Sequence, residues 1–299
     1  MEIIEFDLAN IPTEFQDIAL CLGFFDGIHL GHKRIIEEAL KSGKKVGLLS
    51  FDTPPAYVIG RKDTKRSLTS VDDKADILER LGVSYLFIMP FNERIKELTK
   101  MEFITMVLKV LNPSKVYCGE DYTFGKGAEG NPKLLMNYFD VTIVPLVKID
   151  GSKFSSQSIR HLIFDGNIKE ANARLGHYYR VGGIVVDGNH VGKTLGFPTA
   201  NLDLDFPYVI PANGVYMGYA YIRREKYKCL ISIGTHPTLQ ELDASIIEVF
   251  VIDFEGSLYG NFIFVEFVDR IRDILKFDSI EMLKEQIRKD KMLAVKELS

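Results

Sequence analysis

The sequence predicts an α/β chain of two domains: a doubly wound parallel sheet covered by helices, then an antiparallel β-barrel with a terminal helix. Three observations carry this prediction. Up to about residue 147, apolar segments of strand length alternate with amphipathic segments of helix length, the pattern of a parallel sheet. After about residue 180, short β-branched and aromatic segments separated by glycine indicate an antiparallel sheet or small barrel. Residues 278–298 then regain helical periodicity.

The first domain is placed at residues 1–178. Its strands are predicted at residues 19–25, 46–51, 85–91, 115–119 and 141–147. Between them, apolar residues recur at helical spacing over residues 31–41, 71–81, 101–111 and 132–138. Two short helices, 158–164 and 168–175, close this domain around a turn at residues 165–167.

The second domain is placed at residues 179–299. Its strands are predicted at residues 180–186, 214–222, 227–233, 246–254 and 262–268. The terminal helix is expected to dock on the barrel through a face that carries Ile280, Leu283, Ile287 and Leu293.

Length and composition bound the class of protein. A chain of 299 residues suits two domains of about 100 to 200 residues each. A net charge of −4 supplies no general attraction for nucleic acid or anionic membrane. The N-terminus is acidic, and no apolar run approaches the roughly 20 residues of a membrane span. We therefore expect a cytoplasmic protein with no nucleic-acid or membrane partner, and the sequence leaves its oligomeric state open.

The densest motif is GFFDGIHLGH at residues 23–32, between the first predicted strand and helix. Its glycines allow a tight turn, and the start of the helix offers free N–H groups to an anion. His29 and His32 are one helical turn apart, so both can donate to one phosphate group. The alternative is a plain turn with incidental histidines. Gly23, Phe25, Asp26 and Gly27 are further candidate phosphate-binding residues in this motif.

Two weaker motifs follow in the first domain. SSQSIR at residues 155–160 offers hydroxyls, including Ser156, and the guanidinium of Arg160, groups that suit a triphosphate. The alternative is an ordinary helix N-cap. GEDYTFGKG at residues 119–127 combines Asp121 with aromatic residues such as Phe124, or it is simply a solvated loop.

The second domain carries GKTLGFPTAN at residues 192–201. A P-loop is excluded here, because three residues separate Gly188 from Gly192 where that motif requires four. Thr199 and Asn201 would both face a metal ion if this segment is a strand, and the alternative is a turn with capping polar residues. The plain interpretation of Glu248 is a carboxylate on the solvent face of a predicted strand.

Taken together, these motifs resemble the bacterial bifunctional riboflavin kinase and FMN adenylyltransferase (FAD synthetase) family. The family pattern runs GxFDGxHxGH, a GEDFxFG-like loop, SSxxIR and GFPTAN, in the order found here. The resemblance implies a Rossmann-like nucleotidyltransferase domain followed by a flavokinase barrel. It also implies an activity: ATP phosphorylates riboflavin to FMN, and a second ATP adenylylates FMN to FAD with release of pyrophosphate, assisted by Mg²⁺.

The resemblance assigns roles by position. In the first domain, His29 and His32 would hold the ATP phosphates, Ser156 and Arg160 would bind the triphosphate, and Asp121 with Phe124 would lie in the FMN region. In the barrel, Thr199 and Asn201 would help to bind Mg²⁺ and nucleotide, and Glu248 would deprotonate the ribityl 5′-hydroxyl. The residues that match the family's ATP contacts further include Gly23, Phe25, Asp26, Gly27, Gly192 and Lys193. The residues that match its flavin contacts are Gly214, Val215 and Tyr216.

The barrel departs from the family pattern more than the first domain does. Lys193, Ser232 and His236 stand where the family usually has Arg, Asn and Arg. Lysine does not reproduce a bidentate guanidinium contact. Two alternatives therefore remain open: a monofunctional FMN adenylyltransferase whose barrel has lost kinase activity, and a noncatalytic flavin-binding regulator.

Overall fold

The computed structural model forms two compact units, Met1–Ser156 and Gln157–Ser299. The residues described are 1–61, 65–146, 148–149, 152–187, 196–223, 225–235 and 245–298.

The first unit is built on a parallel sheet with the strand order β1-β4-β3-β2-β5-β6. Its strands are β1 (Glu2–Glu5), β2 (Ile18–Leu22), β3 (Lys45–Phe51), β4 (Tyr85–Met89), β5 (Lys115–Gly119) and β6 (Val141–Val144). The predicted parallel sheet is confirmed, and β1, which pairs in parallel with β4 at one edge, was not predicted. A short hairpin of β7 (Lys148–Ile149) and β8 (Ser152–Lys153) follows.

The sheet is buried on both faces, as a parallel sheet between helices should be. Successive residues of β2 alternate between two apolar layers, with Leu20 and Leu22 in one and Ala19 and Cys21 in the other. The helices of this unit are α1 (Leu30–Leu40), α2 (Pro55–Val58), α3 (Val71–Leu81), α4 (Glu93–Glu97), α5 (Lys100–Glu102), α6 (Lys109–Leu111) and α7 (Pro132–Leu135).

The helix predicted at residues 101–111 is not one regular α-helix. Six residues, Phe103–Leu108, form π-helical turns between α5 and α6. The Thr105 hydroxyl donates to the Met101 carbonyl at 2.9 Å, a side-chain bond of the kind that disturbs regular helical turns.

The second unit contains a closed antiparallel barrel with the strand order β10-β13-β12-β11-β14-β9. Its strands are β9 (Tyr179–Val186), β10 (Ala200–Leu204), β11 (Gly214–Ile222), β12 (Glu225–Thr235), β13 (Ser245–Val251) and β14 (Phe262–Arg272). The predicted barrel is confirmed. Closure brings β11 against β14 so tightly that a Cβ on Gly218 would lie 1.8 Å from the Glu266 carbonyl oxygen, so this position requires glycine.

Three helices complete the described part of the chain: α8 (Ser156–Phe164), α9 (Ile168–Leu175) and α10 (Ile280–Glu297). The Asn172 side chain of α9 donates to the Phe267 carbonyl at 2.8 Å and accepts from the Tyr179 N–H at 2.7 Å. These two bonds attach α9 to the barrel strands.

The terminal helix docks on the barrel, but not through the whole predicted face. Ile287, Asp290 and Ala294 face the barrel, whereas Ile280 and Leu293 are exposed. Buried Asp290 forms an ion pair with Arg272 of β14, with an N–O distance of 2.8 Å. The apolar spacing could not reveal this, because the central docking residue is charged.

Candidate active sites

The chain turns sharply where β2 ends, at the GFFDG motif. Phe25, Gly27 and Ile28 have φ values of 53°, 79° and 39°, in the left-handed region that only glycine adopts freely. The Asp26 side chain, 1% exposed, accepts from the backbone N–H groups of Leu68 at 2.8 Å and Thr69 at 3.4 Å. These bonds hold a strained turn in place, a feature that concentrates at functional sites.

The two histidines lie at the start of α1 with their rings stacked, 3.7 Å between centroids. His29 is the N-cap residue, and its Nδ1 accepts from the His32 backbone N–H at 3.3 Å. A neutral His29 therefore carries its ring proton on Nε2, where it can donate to a phosphate oxygen. The His32 Nδ1 is buried without a hydrogen-bond partner among the described residues. Burial, then the neighbouring His29 and then Lys74 hold the pKa of His32 well below 6.5.

A cavity of about 240 Å³ opens beside these histidines. It is lined by His29 and His32, by Asp121 after β5, and by Ser155 and Ser156. In the sheet β2 lies between β3 and β5, so the cavity is at the carboxyl edge where the strand order reverses, the usual ligand position in an open α/β sheet. The Ser156 hydroxyl donates to the Asp26 carbonyl at 2.9 Å, which joins two predicted motifs.

Other predicted residues of the first domain have different surroundings. Phe124 is 6% exposed and packs against Tyr122 and Phe103 in the apolar layer. It does not line the cavity that Asp121 lines. Gly23 leaves room for the Phe25 ring, which a Cβ on Gly23 would meet at 2.9 Å. Arg160 lies on α8 within the second unit, and its assignment to the triphosphate stays a prediction.

One residue beside the motif was missed by the sequence interpretation. Lys74 of α3 is 2% exposed, and its ammonium donates to the Phe24 carbonyl at 3.0 Å and to the Ser50 hydroxyl at 3.1 Å. The signal was present in the sequence. Lys74 lies three residues after Val71 and four residues before Leu78, so the helical spacing puts it in the apolar stripe of α3.

Three of the kinase candidates, Val215, Glu248 and Asn201, lie with Ser232 on one row across four barrel strands. In the strand register, Val215 of β11 pairs with Ser232, Ser232 with Glu248, and Glu248 with Asn201 of β10. Residues that pair directly across antiparallel strands point to the same face, so these side chains are neighbours. Glu248 is half-buried, and desolvation raises the pKa of its carboxyl above 4.5.

A second cavity, of about 340 Å³, lies within the barrel unit. Thr199, immediately before β10, lines it together with Phe254 and Tyr259. Gly214 begins β11, and Tyr216, which is fully buried, donates its hydroxyl to the Ala212 carbonyl at 2.5 Å. The predicted ATP contacts Gly192 and Lys193 lie outside the described residues.

The chain matches two family models, one for each unit. FAD synthetase matches residues 11–158, and riboflavin kinase matches residues 175–298. The domain boundary predicted between residues 178 and 179 stays a prediction. None of the described helices combines the length and apolar character that crossing a bilayer requires.

Curated relatives align over nearly the whole chain. The bifunctional riboflavin kinase/FMN adenylyltransferase of Bacillus subtilis is 36% identical, with 97% of this chain and 95% of that protein covered. The Escherichia coli protein of the same description is 33% identical, with 96% and 94% covered. A crystal structure described as a macrolide-efflux protein from Streptococcus pneumoniae is 34% identical and superposes with a TM-score of 0.90 over 99% of each chain. The fold, both family matches and the aligned relatives agree: this chain belongs to the bifunctional riboflavin kinase/FMN adenylyltransferase family.

Proposed function

We propose that the chain makes FMN from riboflavin on its barrel and FAD from FMN on its parallel-sheet unit, with ATP as the second substrate of both reactions. One observation carries the division of labour: each unit holds its own cluster of candidate residues. His29, His32 and Ser156 line one cavity, and Glu248 pairs with Asn201 in the barrel.

In adenylyl transfer, a phosphate oxygen of FMN attacks the α-phosphorus of ATP, and the bond to the leaving pyrophosphate breaks. The chain's contribution is positioning and charge stabilisation, which dominate such reactions. His29 Nε2, the N–H groups at the start of α1 and the Ser155 hydroxyl supply donors around the cavity. Asp121, after the carboxyl end of the neighbouring strand β5, is proposed to orient FMN.

In the kinase reaction, Glu248 is proposed to accept the proton of the ribityl 5′-hydroxyl as that oxygen attacks the γ-phosphorus and ADP leaves. A carboxylate whose pKa is raised by desolvation is a stronger base than an exposed one. The pairing of Glu248 with Asn201, in the segment proposed to hold the nucleotide, supports this role.

Mg²⁺ is proposed as the cofactor, with Thr199 and Asn201 as its protein contacts. The donors fit this hard cation, because hydroxyl and amide oxygens are ligands it accepts. Among the described residues no group of three His, Cys, Asp or Glu side chains forms a metal site. When bound, Mg²⁺ neutralises negative charge on the phosphates.

Product analysis tests both halves. The protein is incubated with ATP and Mg²⁺ and either riboflavin or FMN, and FMN and FAD are separated by chromatography. His29→Asn keeps a capping side chain but loses the imidazole, so FAD formation should fall by about 10²- to 10³-fold while FMN formation persists. Glu248→Gln should do the reverse. If either variant lost both activities while folded, the division of labour would be wrong. Wild-type protein that converts FMN but not riboflavin would favour the monofunctional alternative.

A further inference from the structure

Lys74 is a charged side chain buried behind the adenylyltransferase cavity. It is among the largest fully buried side chains of the described chain. Its ammonium contacts neutral groups: the Phe24 carbonyl at 3.0 Å, the Ser50 hydroxyl at 3.1 Å and the Phe24 ring, whose centroid is 4.2 Å away. Burial of a cation among such groups is unfavourable, and an apolar side chain of similar volume would usually stabilise the fold as well or better. Stability therefore does not explain a lysine here.

The carbonyl that Lys74 binds is the last one before the strained turn. Phe24 precedes Phe25, the first of the left-handed residues, and Ser50 also donates to the Phe24 carbonyl, at 2.8 Å. Left-handed non-glycine residues are strained and persist only where neighbouring contacts fix them. The ammonium thus fixes the entry to the turn that leads into His29 and His32.

The charge of Lys74 also reaches the histidine pair. After burial and His29, it is the third cause that holds the pKa of His32 well below 6.5. A positive charge behind the cavity attracts a polyphosphate. The same charge disfavours the protonated, positively charged form of His32. The residue is too buried to contact substrate, so its action is indirect.

We propose that Lys74 is a positioning residue for adenylyl transfer, whose buried ammonium fixes the Phe24–Ile28 turn and supplies the positive charge behind the His29–His32 pair that ATP binding requires. This inference rests on the proposed function of the first unit. It predicts that neutralising Lys74 impairs FAD formation without affecting the kinase of the same polypeptide.

The pH dependence separates this role from simple packing. Desolvation lowers the pKa of Lys74 to about 8, against the opposing attraction of Asp26 and Asp52. The charged and titratable groups that face it are Asp26 after β2, Asp52 after β3 and His32 of α1. With a pKa of about 8, Lys74 loses most of its positive charge between pH 7 and 9.

The test compares wild-type protein with Lys74→Met, Lys74→Arg and, as a matched control, Lys41→Met, which removes an exposed lysine. FMN and FAD formation are measured on the same samples from pH 6.5 to 9.5. We expect wild-type kcat/KM for ATP in FAD formation to fall with a midpoint near pH 8. Lys74→Met should lose at least about tenfold at pH 7 and lack this midpoint. Lys74→Arg, which stays charged, should retain activity at pH 9. FMN formation should be unchanged in every variant.

Three results would overturn the inference. One is FAD formation by Lys74→Met within twofold of wild type at pH 7. Another is an alkaline midpoint that persists in Lys74→Met. The third is an equal loss of both activities in that variant, which would indicate a general folding role. Wild-type protein that makes FMN but no FAD would instead refute the proposed function of the first unit, and this inference with it.

Discussion

The buried ammonium of Lys74 makes a quantitative prediction about stability that is independent of catalysis. Its pKa of about 8 in the folded protein lies below the 10.5 of an unfolded chain. Between these values the unfolded chain binds more protons, so the free energy of unfolding rises with pH. Integrating this difference gives a gain of roughly 2 kcal/mol between pH 7 and pH 9.5 from Lys74 alone. Lys74→Met removes the titrating group, so the stability difference between wild type and this variant should change by that amount.

The three cysteines provide the assay. Cys21 and Cys118 are buried in the first unit, and Cys229 is buried in the barrel. Brief alkylation across a urea series, followed by mass analysis of the three peptides, therefore reports the unfolding of each unit separately. At Cys21 and Cys118, the free energy of unfolding of wild type should rise by roughly 2 kcal/mol relative to that of Lys74→Met between pH 7 and pH 9.5. Cys229 should show no such difference.

A wild-type-minus-Lys74→Met difference that stays constant between the two pH values would refute the reasoning. It would mean that Lys74 has an ordinary lysine pKa and that its ammonium is solvated in solution. Lys41→Met controls for the loss of any lysine, because the Lys41 side chain is exposed and should give no pH-dependent difference.

Three further predictions concern the barrel unit. Wild-type kinase activity, measured as FMN formation, should decline on acidification through a pKa above 4.5, because a protonated Glu248 accepts no proton. In the same assay, Glu248→Gln should lower the rate by about 10²-fold or more. Gly218→Ala should lower the free energy of unfolding of the barrel, read from Cys229 alkylation, by at least about 2 kcal/mol, because its methyl would meet the Glu266 carbonyl. The control Gly234→Ala should be nearly neutral, because its methyl would meet no described atom within 4 Å. Asp290→Ala leaves Arg272 without its buried partner, so the free energy of unfolding in the same assay should fall by about 3 to 5 kcal/mol. The control Glu285→Ala breaks the exposed pair with Arg288 and should lower it by less than about 1 kcal/mol.

The architecture followed from periodicity. Buried parallel strands read as apolar runs, and their spacing by amphipathic segments leaves few alternatives to a helix-covered sheet. The prediction from sequence failed at positions where a charged residue or local strain replaced the apolar periodicity. The 101–111 segment contains π-helical turns, and α10 docks through Asp290, which no apolar periodicity indicates.

The candidate sites also contain some residues that the motifs indicated correctly and others whose surroundings only the structure shows. The motif itself indicated the histidine pair, because glycines and imidazoles at that spacing have few other uses. Phe124 carries the same motif signal as Asp121, yet its ring is in the apolar layer while Asp121 lines the cavity. Sequence order gives no information about which side of a loop faces a ligand.

The amino-acid sequence by itself determined the two-domain α/β and barrel organisation, the histidine turn and the order of the kinase motifs, since these depend on local spacing and residue chemistry. Only the tertiary structure decided which distant residues act together. Strand register brought Asn201, Glu248 and Ser232 into one row, and helix packing buried Lys74 against Phe24, fifty residues earlier in the chain. The physical reason is that desolvation and pairing depend on neighbours in space, and chain folding, not sequence spacing, chooses those neighbours.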